Sequence, residues 1–220
     1  YDCLKAIENV SNAKYLANNA KFALGIVTGN NKEYIKNNKE NGYEVVLKGS
    51  DILRYAIKDS NNYIRFEPDL FQQVAPTELY RAKEKLLYRF ICEVPVFTYD
   101  NKQTLSLNSC NILIPQIEGM SIKYVLAVLN SSVACYFLNK KFNSVKLLKS
   151  HIESLPIPMV DQKFQKEIEK KVDRIMDESE NDTVFLYNEL DNDIFSIYSL
   201  SLEQRDTIKK ALCDKTTFLK

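Results

Sequence analysis

The run Ile26-Val27-Thr28-Gly29-Asn30-Asn31-Lys32 sets a hydroxyl, two carboxamides and an ammonium on a glycine-hinged loop. It directly follows the apolar stretch 22–27. Asn pairs bidentately with adenine and Lys with guanine in the major groove of a duplex, so reading base edges is one chemistry such a loop can perform. The same residue types also build an ordinary turn. Two further turns carry comparable groups: Lys48 and Ser50 in Lys48-Gly49-Ser50-Asp51, and Asn101, Lys102 and Gln103 after the stretch 96–99.

Base reading needs an anchor on phosphate, and cations near a nucleic-acid backbone supply it by releasing condensed counterions. Arg81, Lys83, Lys85 and Arg89 fall within nine residues and are countered only by Glu84. Lys140, Lys141, Lys146 and Lys149 fall within ten residues with no acid among them. Solvated strand edges and helix ends are the plainer reading of such runs, and Lys140-Lys141 suits a helix C-terminus. The net charge of +1 hides an asymmetry: residues 1–158 carry 20 Lys/Arg against 15 Asp/Glu, and residues 159–220 carry 10 against 14. A basic body with an acidic appendage implies two surfaces with different partners.

Several chemistries are poorly supported. There is one histidine, His151, and the five cysteines (Cys3, Cys92, Cys110, Cys135, Cys213) form no CxxC pair, so neither a zinc site nor a disulfide framework is expected. Cysteine usage of this kind fits a reducing cytoplasm. Asp100-Asn101-Lys102 and Asp161-Gln162-Lys163 have the acid-x-Lys spacing of metal-dependent nucleases, which also need further carboxylates such as Asp51 or Glu67 to hold Mg²⁺. Ser132 lacks the flanking glycines of a nucleophile elbow, and five glycines in 220 residues leave no dinucleotide or S-adenosylmethionine fingerprint. No apolar run approaches the roughly 18–20 residues of a membrane span. The chain opens on Tyr1 rather than Met, as a fragment of a longer protein would.

These groups need elements to position them. The stretches 22–27, 44–47, 63–66, 86–91, 96–99 and 111–114 are short, β-branched or aromatic and bounded by turn residues, which predicts strands. Ser50 or Asp51 is suited to cap a short helix to Tyr55. Residues 121–138 carry a broad apolar surface and predict one helix packed on the sheet. Most of the 13 Tyr and 11 Phe recur at core spacing. Leu155-Pro156-Ile157-Pro158 stops regular hydrogen bonding and marks a boundary. Beyond it, Phe164, Ile168, Val172 and Ile175 step as an amphipathic helix that Asn181-Asp182 ends. A second helix is expected from Thr183 to about Ser196, and a Ser201-x-x-Gln204 capping box opens a third to about Cys213. The expected fold is α+β: a mixed or antiparallel short-stranded body with a packed helix over residues 1–158, then an α-helical tail or spacer over 159–220.

The order of these pieces resembles the TaqI-like specificity (target-recognition) domain of N6-adenine DNA methyltransferases and type II restriction–modification enzymes, and half of a type I specificity subunit. The matching pieces are Gly25-Ile26-Val27-Thr28-Gly29-Asn30-Asn31, Leu47-Lys48-Gly49-Ser50-Asp51-Ile52, residues 85–91 and Thr98-Tyr99-Asp100. Residues 124–132 with Tyr136-Phe137, then Leu155-Pro156-Ile157-Pro158, then a tail over 189–201, complete the order. The family's methyltransferase core carries an Asn/Asp-Pro-Pro-Tyr/Phe tetrapeptide, which is absent here.

The resemblance implies a non-catalytic module that binds double-stranded DNA, with the glycine loop 28–32 beside a flipped target adenine. It implies no cofactor in this stretch. S-adenosylmethionine, and Mg²⁺ for cleavage, would belong to the parent enzyme, whose methyltransferase domain would lie N-terminal to it; no membrane is involved. Two other classes remain open: a protein-interaction module acting through the acidic tail, and a nuclease using an acid-x-Lys triplet.

Overall fold

The computed structural model describes residues 2–177 and 180–212. In chain order its helices are α1 (Cys3–Glu8), α2 (Asn31–Tyr34), α3 (Thr77–Tyr80), α4 (Ile122–Leu129), α5 (Ser132–Phe142), α6 (Lys149–Glu153), α7 (Gln162–Asp177), α8 (Glu180–Ile197) and α9 (Leu202–Leu212). Its strands are β1 (Ala13–Lys14), β2 (Ala20–Ala23), β3 (Ile35–Lys36), β4 (Glu44–Leu47), β5 (Ile52–Leu53) and β6 (Ala56–Ile57). They continue as β7 (Tyr63–Ile64), β8 (Lys85–Arg89), β9 (Phe97–Asp100), β10 (Leu105–Ser106), β11 (Cys110–Pro115) and β12 (Ile157–Pro158). The class is α+β with a helical C-terminal region, as expected.

Two compact units divide this chain, and one is inserted in the other. The strand-rich unit comprises residues 21–91 and 96–114; the helical unit comprises 1–20, 92–95 and 115–220. The boundary expected at Pro158 falls inside the helical unit. There, β12 pairs antiparallel with β1 (Ala13 opposite Pro158, Lys14 opposite Ile157). Proline lacks an N–H but keeps its carbonyl, and buried Tyr124 and Tyr198 hydroxyls donate to the carbonyls of Pro158 and Pro156 at 2.6 and 2.5 Å.

The strand-rich unit holds two four-stranded sheets, ordered β10-β4-β7-β3 and β2-β11-β8-β9, plus the β5–β6 hairpin. Its core collects Val46, Leu47, Ile64, Leu87, Leu105, Cys110 and Ile112 from both sheets, with Tyr80 of α3 and Ile26. Burying one such aliphatic side chain is worth roughly 1.5–3 kcal/mol. The helix expected from Ser50 to Tyr55 is instead a 3₁₀ turn (Gly49–Asp51) followed by the hairpin. Ile52-Leu53 and Ala56-Ile57 pair across a two-residue turn whose second member, Tyr55, has φ 62°.

In the helical unit the single helix expected over 121–138 is two helices, α4 and α5, bent by 58°. Ser131 explains the break, because its hydroxyl accepts from the Ala134 N–H at 3.1 Å and caps the second helix. The expected interruption at Asn181-Asp182 lies within α8. The capping box at Ser201/Gln204 is formed in both directions, at 3.2 and 2.9 Å, while the expected helix end at Cys213 lies outside the described residues. The tail helices are packed within the unit. Gln165 of α7, fully buried, accepts from the Ser121 N–H and donates to the Gly119 carbonyl. Asp191 of α8 accepts from the Ser132 N–H at the start of α5. Among the described residues no single helix is long and apolar enough to cross a membrane; the α4–α5 pair would have the length and apolarity only as a bent span, and it is mostly buried.

Candidate nucleic-acid interface

Parallel pairing decides which loops meet in the strand-rich unit. β10 runs parallel to β4, and Ile26 forms a parallel bridge to Leu107. Backbone bonds lock the three segments: Ile26 N–H to Ser106 O at 2.7 Å, Leu107 N–H to Leu47 O at 2.8 Å, and Asn108 N–H to Ile26 O at 3.1 Å. Gly25 permits this approach, since a Cβ there would stand 2.1 Å from the Leu107 carbonyl oxygen. Segments that run the same way end on the same side. The loop after Ile26, the turn after Leu47 and the Asn108-Ser109 turn therefore leave from one edge.

Arg89, at the end of β8, ties that edge together. Its guanidinium donates to the carbonyls of Gly49 (2.8 Å) and Ile52 (2.5 Å). Ser109 accepts the Gly49 N–H through its hydroxyl at 2.9 Å and the Phe90 N–H through its carbonyl at 3.1 Å. Lys48 is half-buried, its N–H held by the Asp51 carboxylate at 2.8 Å, and Ser50 is exposed. In the glycine loop Thr28 is buried and donates to Asn31 Oδ1 at 2.6 Å, while Asn30 donates to Glu33 at 3.1 Å. Gly29 takes φ 81°, and Lys32 is exposed. Asn108 and Ser109 are members of this edge that the sequence reading missed; the short strand β10 before them is the signal that would have found them.

Arg81, Lys85, Asn101 and Lys102 lie at the opposite end of the same strands. Glu44 opens β4 and takes a bidentate fork from Arg81 at 2.6 and 2.7 Å. Arg81 also donates to the Gln103 carbonyl at 3.1 Å and stacks over Phe66 at 5.3 Å. From Glu44 to Lys48 the chain advances about 13 Å, four strand steps. The Asn101–Gln103 turn and the Lys48–Ser50 turn therefore do not form one cluster.

Lys85 is a correction to the expected phosphate anchors. It is fully buried, with its ammonium 2.5 Å from Asp100 and 2.8 Å from the Tyr80 carbonyl. Burial lowers its pKa from the ordinary lysine value, and the Asp100 carboxylate opposes that shift. A lysine so enclosed does not reach a phosphate. Asp100 is committed in turn, accepting from the Lys102 N–H (3.2 Å), the Thr104 N–H (3.0 Å) and the Thr104 hydroxyl (2.8 Å). Those bonds shape the turn and leave Asn101, Lys102 and Gln103 exposed, as is Lys83. They also occupy the carboxylate that a nuclease site would need. Asp161 caps α7 through the Phe164 N–H at 2.8 Å, and among the described residues no three His, Cys, Asp or Glu side chains gather to hold a metal.

The lysines of the second basic run belong to the helical unit. Lys140 and Lys141 end α5, Lys140 over the Tyr136 ring at 5.8 Å and Lys141 paired with Glu8 at 2.8 Å. Lys149 lies 3.6 Å from Glu153, and Lys146 is exposed. Asn143 ends α5 in the left-handed conformation, after which Leu147 is buried and His151 stacks on Phe142 at 3.9 Å. His151 is thus a packing residue that also accepts from the Leu148 N–H.

Residues 44–157 match the family model described as the TaqI-like C-terminal specificity domain. No curated protein matches the sequence. Among solved structures, the type IIL restriction-modification enzyme MmeI in complex with DNA aligns over 90% of this chain and 36% of its own, at 10% identity and TM-score 0.55. A component of a type I R-M system assembly aligns over 95% of this chain and 46% of its own, at 15% identity and TM-score 0.53. The chain thus spans less than half the length of either similar chain.

Proposed function

This chain belongs to the TaqI-like C-terminal specificity domain family of restriction–modification systems, and on that premise we propose that it reads double-stranded DNA for a parent enzyme whose chemistry sits elsewhere. The observation that carries this reading is the edge formed by three parallel segments, where the loops after Ile26, Leu47 and Leu107 emerge side by side. Such an edge offers backbone fixed by hydrogen bonds, with Lys32, Ser50, Asn108 and Ser109 exposed upon it. Fixed backbone with exposed polar side chains suits discrimination between base edges. Lys83 and Lys102 in the same unit, with Lys140 and Lys146 in the helical unit, supply sequence-independent attraction to phosphates.

In this reading the chain's work is binding and orientation. It holds the duplex so that a target adenine is presented to a methyltransferase domain N-terminal to it, which would bind S-adenosylmethionine and, where the parent cleaves, act with Mg²⁺. The test is equilibrium binding of the parent protein to duplexes that differ at single base pairs. Ser50→Ala and Ser109→Ala should flatten the preference between duplexes while leaving non-specific affinity intact. Equal affinity for every duplex in the unmodified protein would end the proposal.

A further inference from the structure

The small sheet β10-β4-β7-β3 has a second face. Ile35 pairs with Ile64, and Ile64 with Glu44, so these side chains share a side with buried Val46; Ile35, Ile64 and Val46 meet the core there. Alternation sends their neighbours the other way: Lys36, Tyr63 and Val45 form a row across three strands. Tyr43 and Arg65 extend it by one step, and their contact confirms the shared face, with the Arg65 guanidinium 5.2 Å from the centre of the Tyr43 ring. Val45 is 37% exposed, Arg65 is exposed, and Lys36, Tyr43 and Tyr63 are half-buried, so this row is accessible although Leu47 further along β4 is buried.

Charge on this face is one-sided. The strand carboxylate, Glu44, lies on the core side in its fork with Arg81. The charged groups of the row are Lys36 and Arg65, both cationic. We propose that this face is a second contact surface, one that grips the sugar–phosphate backbone of duplex DNA, apart from the loops at the strand ends. The inference rests on the DNA-reading function above and names a surface for it. Phosphate is favoured over an unpaired base because Arg65 already covers one side of the Tyr43 ring. Arg65 spends one donor on the Asn41 carbonyl at 3.3 Å and has others left for phosphate oxygens. Val45 between the two tyrosines gives the sugar edge an apolar seat.

The test uses the full chain in its parent protein and a fluorescent duplex of mixed sequence, titrated across a range of salt. Lys36→Gln with Arg65→Gln should lower the slope of log affinity against log salt by about 1.8, at about 0.9 per phosphate contact. Lys163→Gln with Lys166→Gln on α7 removes the same charge elsewhere and should leave the slope unchanged. Thermal unfolding of each variant checks that surface substitutions have left the fold intact. A slope identical to the unmodified protein's overturns this inference while the reading function stands. An equal fall in the α7 control overturns it too, since bulk charge would then be the cause. A lost base preference at unchanged slope, or a preference for single strands, also overturns it. If the unmodified protein shows no salt-dependent DNA binding, both proposals fall together.

Discussion

The glycine loop 28–32 and the turn 100–104 carry similar side chains but use them in opposite ways. In the first, Thr28 bonds to Asn31 and Asn30 bonds to Glu33 of α2, so each carboxamide has a local partner. In the second, Asp100 and Thr104 make the bonds that hold the turn, and Asn101, Lys102 and Gln103 stay exposed. Each segment carries two carboxamides, and only in the glycine loop are they occupied by local bonds. A side chain's availability depends on who satisfies the local backbone, and composition does not reveal that.

The largest test of this contrast removes the group that organises the second turn. Asp100→Ala leaves the Lys85 ammonium buried without its carboxylate, which should cost about 3–5 kcal/mol of stability in urea unfolding. A small effect would mean that the turn does not depend on the pair. In the glycine loop, Thr28→Val deletes the bond to Asn31 and should cost about 1 kcal/mol. Asn101→Ala should change stability by less than about 0.5 kcal/mol, as exposed substitutions do. If Asn101 reads a base, its loss should instead reduce discrimination at one base pair by about 1–3 kcal/mol in duplex binding. Should Thr28→Val leave stability untouched, the two loops would be alike after all.

The smallest expected effect lies in the helical unit. Burial against Phe142 lowers the His151 pKa from its ordinary value of 6.5. A histidine with a lower pKa when folded binds more protons when unfolded, so stability falls as pH drops below about 6.5. His151→Phe should keep the ring stack and remove that part of the pH dependence of the melting temperature.

Local pattern was readable where it did not depend on distant partners. β4 occupies the expected residues, and the Ser201/Gln204 box forms as its spacing required. Ser121–Leu138 misled because the apolar count continues across Asn130-Ser131, and only the hydroxyl cap of Ser131 ends the first helix. Leu155-Pro156-Ile157-Pro158 misled for another reason: its partner strand, β1, lies more than a hundred residues earlier. Lys85 was unreadable as a buried residue because its compensating charge is Asp100, two strands' length along the chain. Arg81 and Arg89 read as phosphate anchors by charge, whereas the fold turns both guanidinium forks onto Glu44 and onto main-chain carbonyls. The edge itself follows from the parallel pairing of β4 and β10, a long-range fact with no local signature.

The insertion of one unit into the other carries an evolutionary consequence. Residues 21–114, apart from the short 92–95 excursion, leave and rejoin the helical unit as one continuous passage. The carrier closes on itself through β1 with β12 and through the tyrosine bonds to Pro156 and Pro158. Recombination at the two crossings would therefore exchange the strand-rich cassette together with residues 92–95, breaking the Cys92 N–H bond to the Val145 carbonyl but leaving the β1–β12 pair and the tyrosine bonds in place.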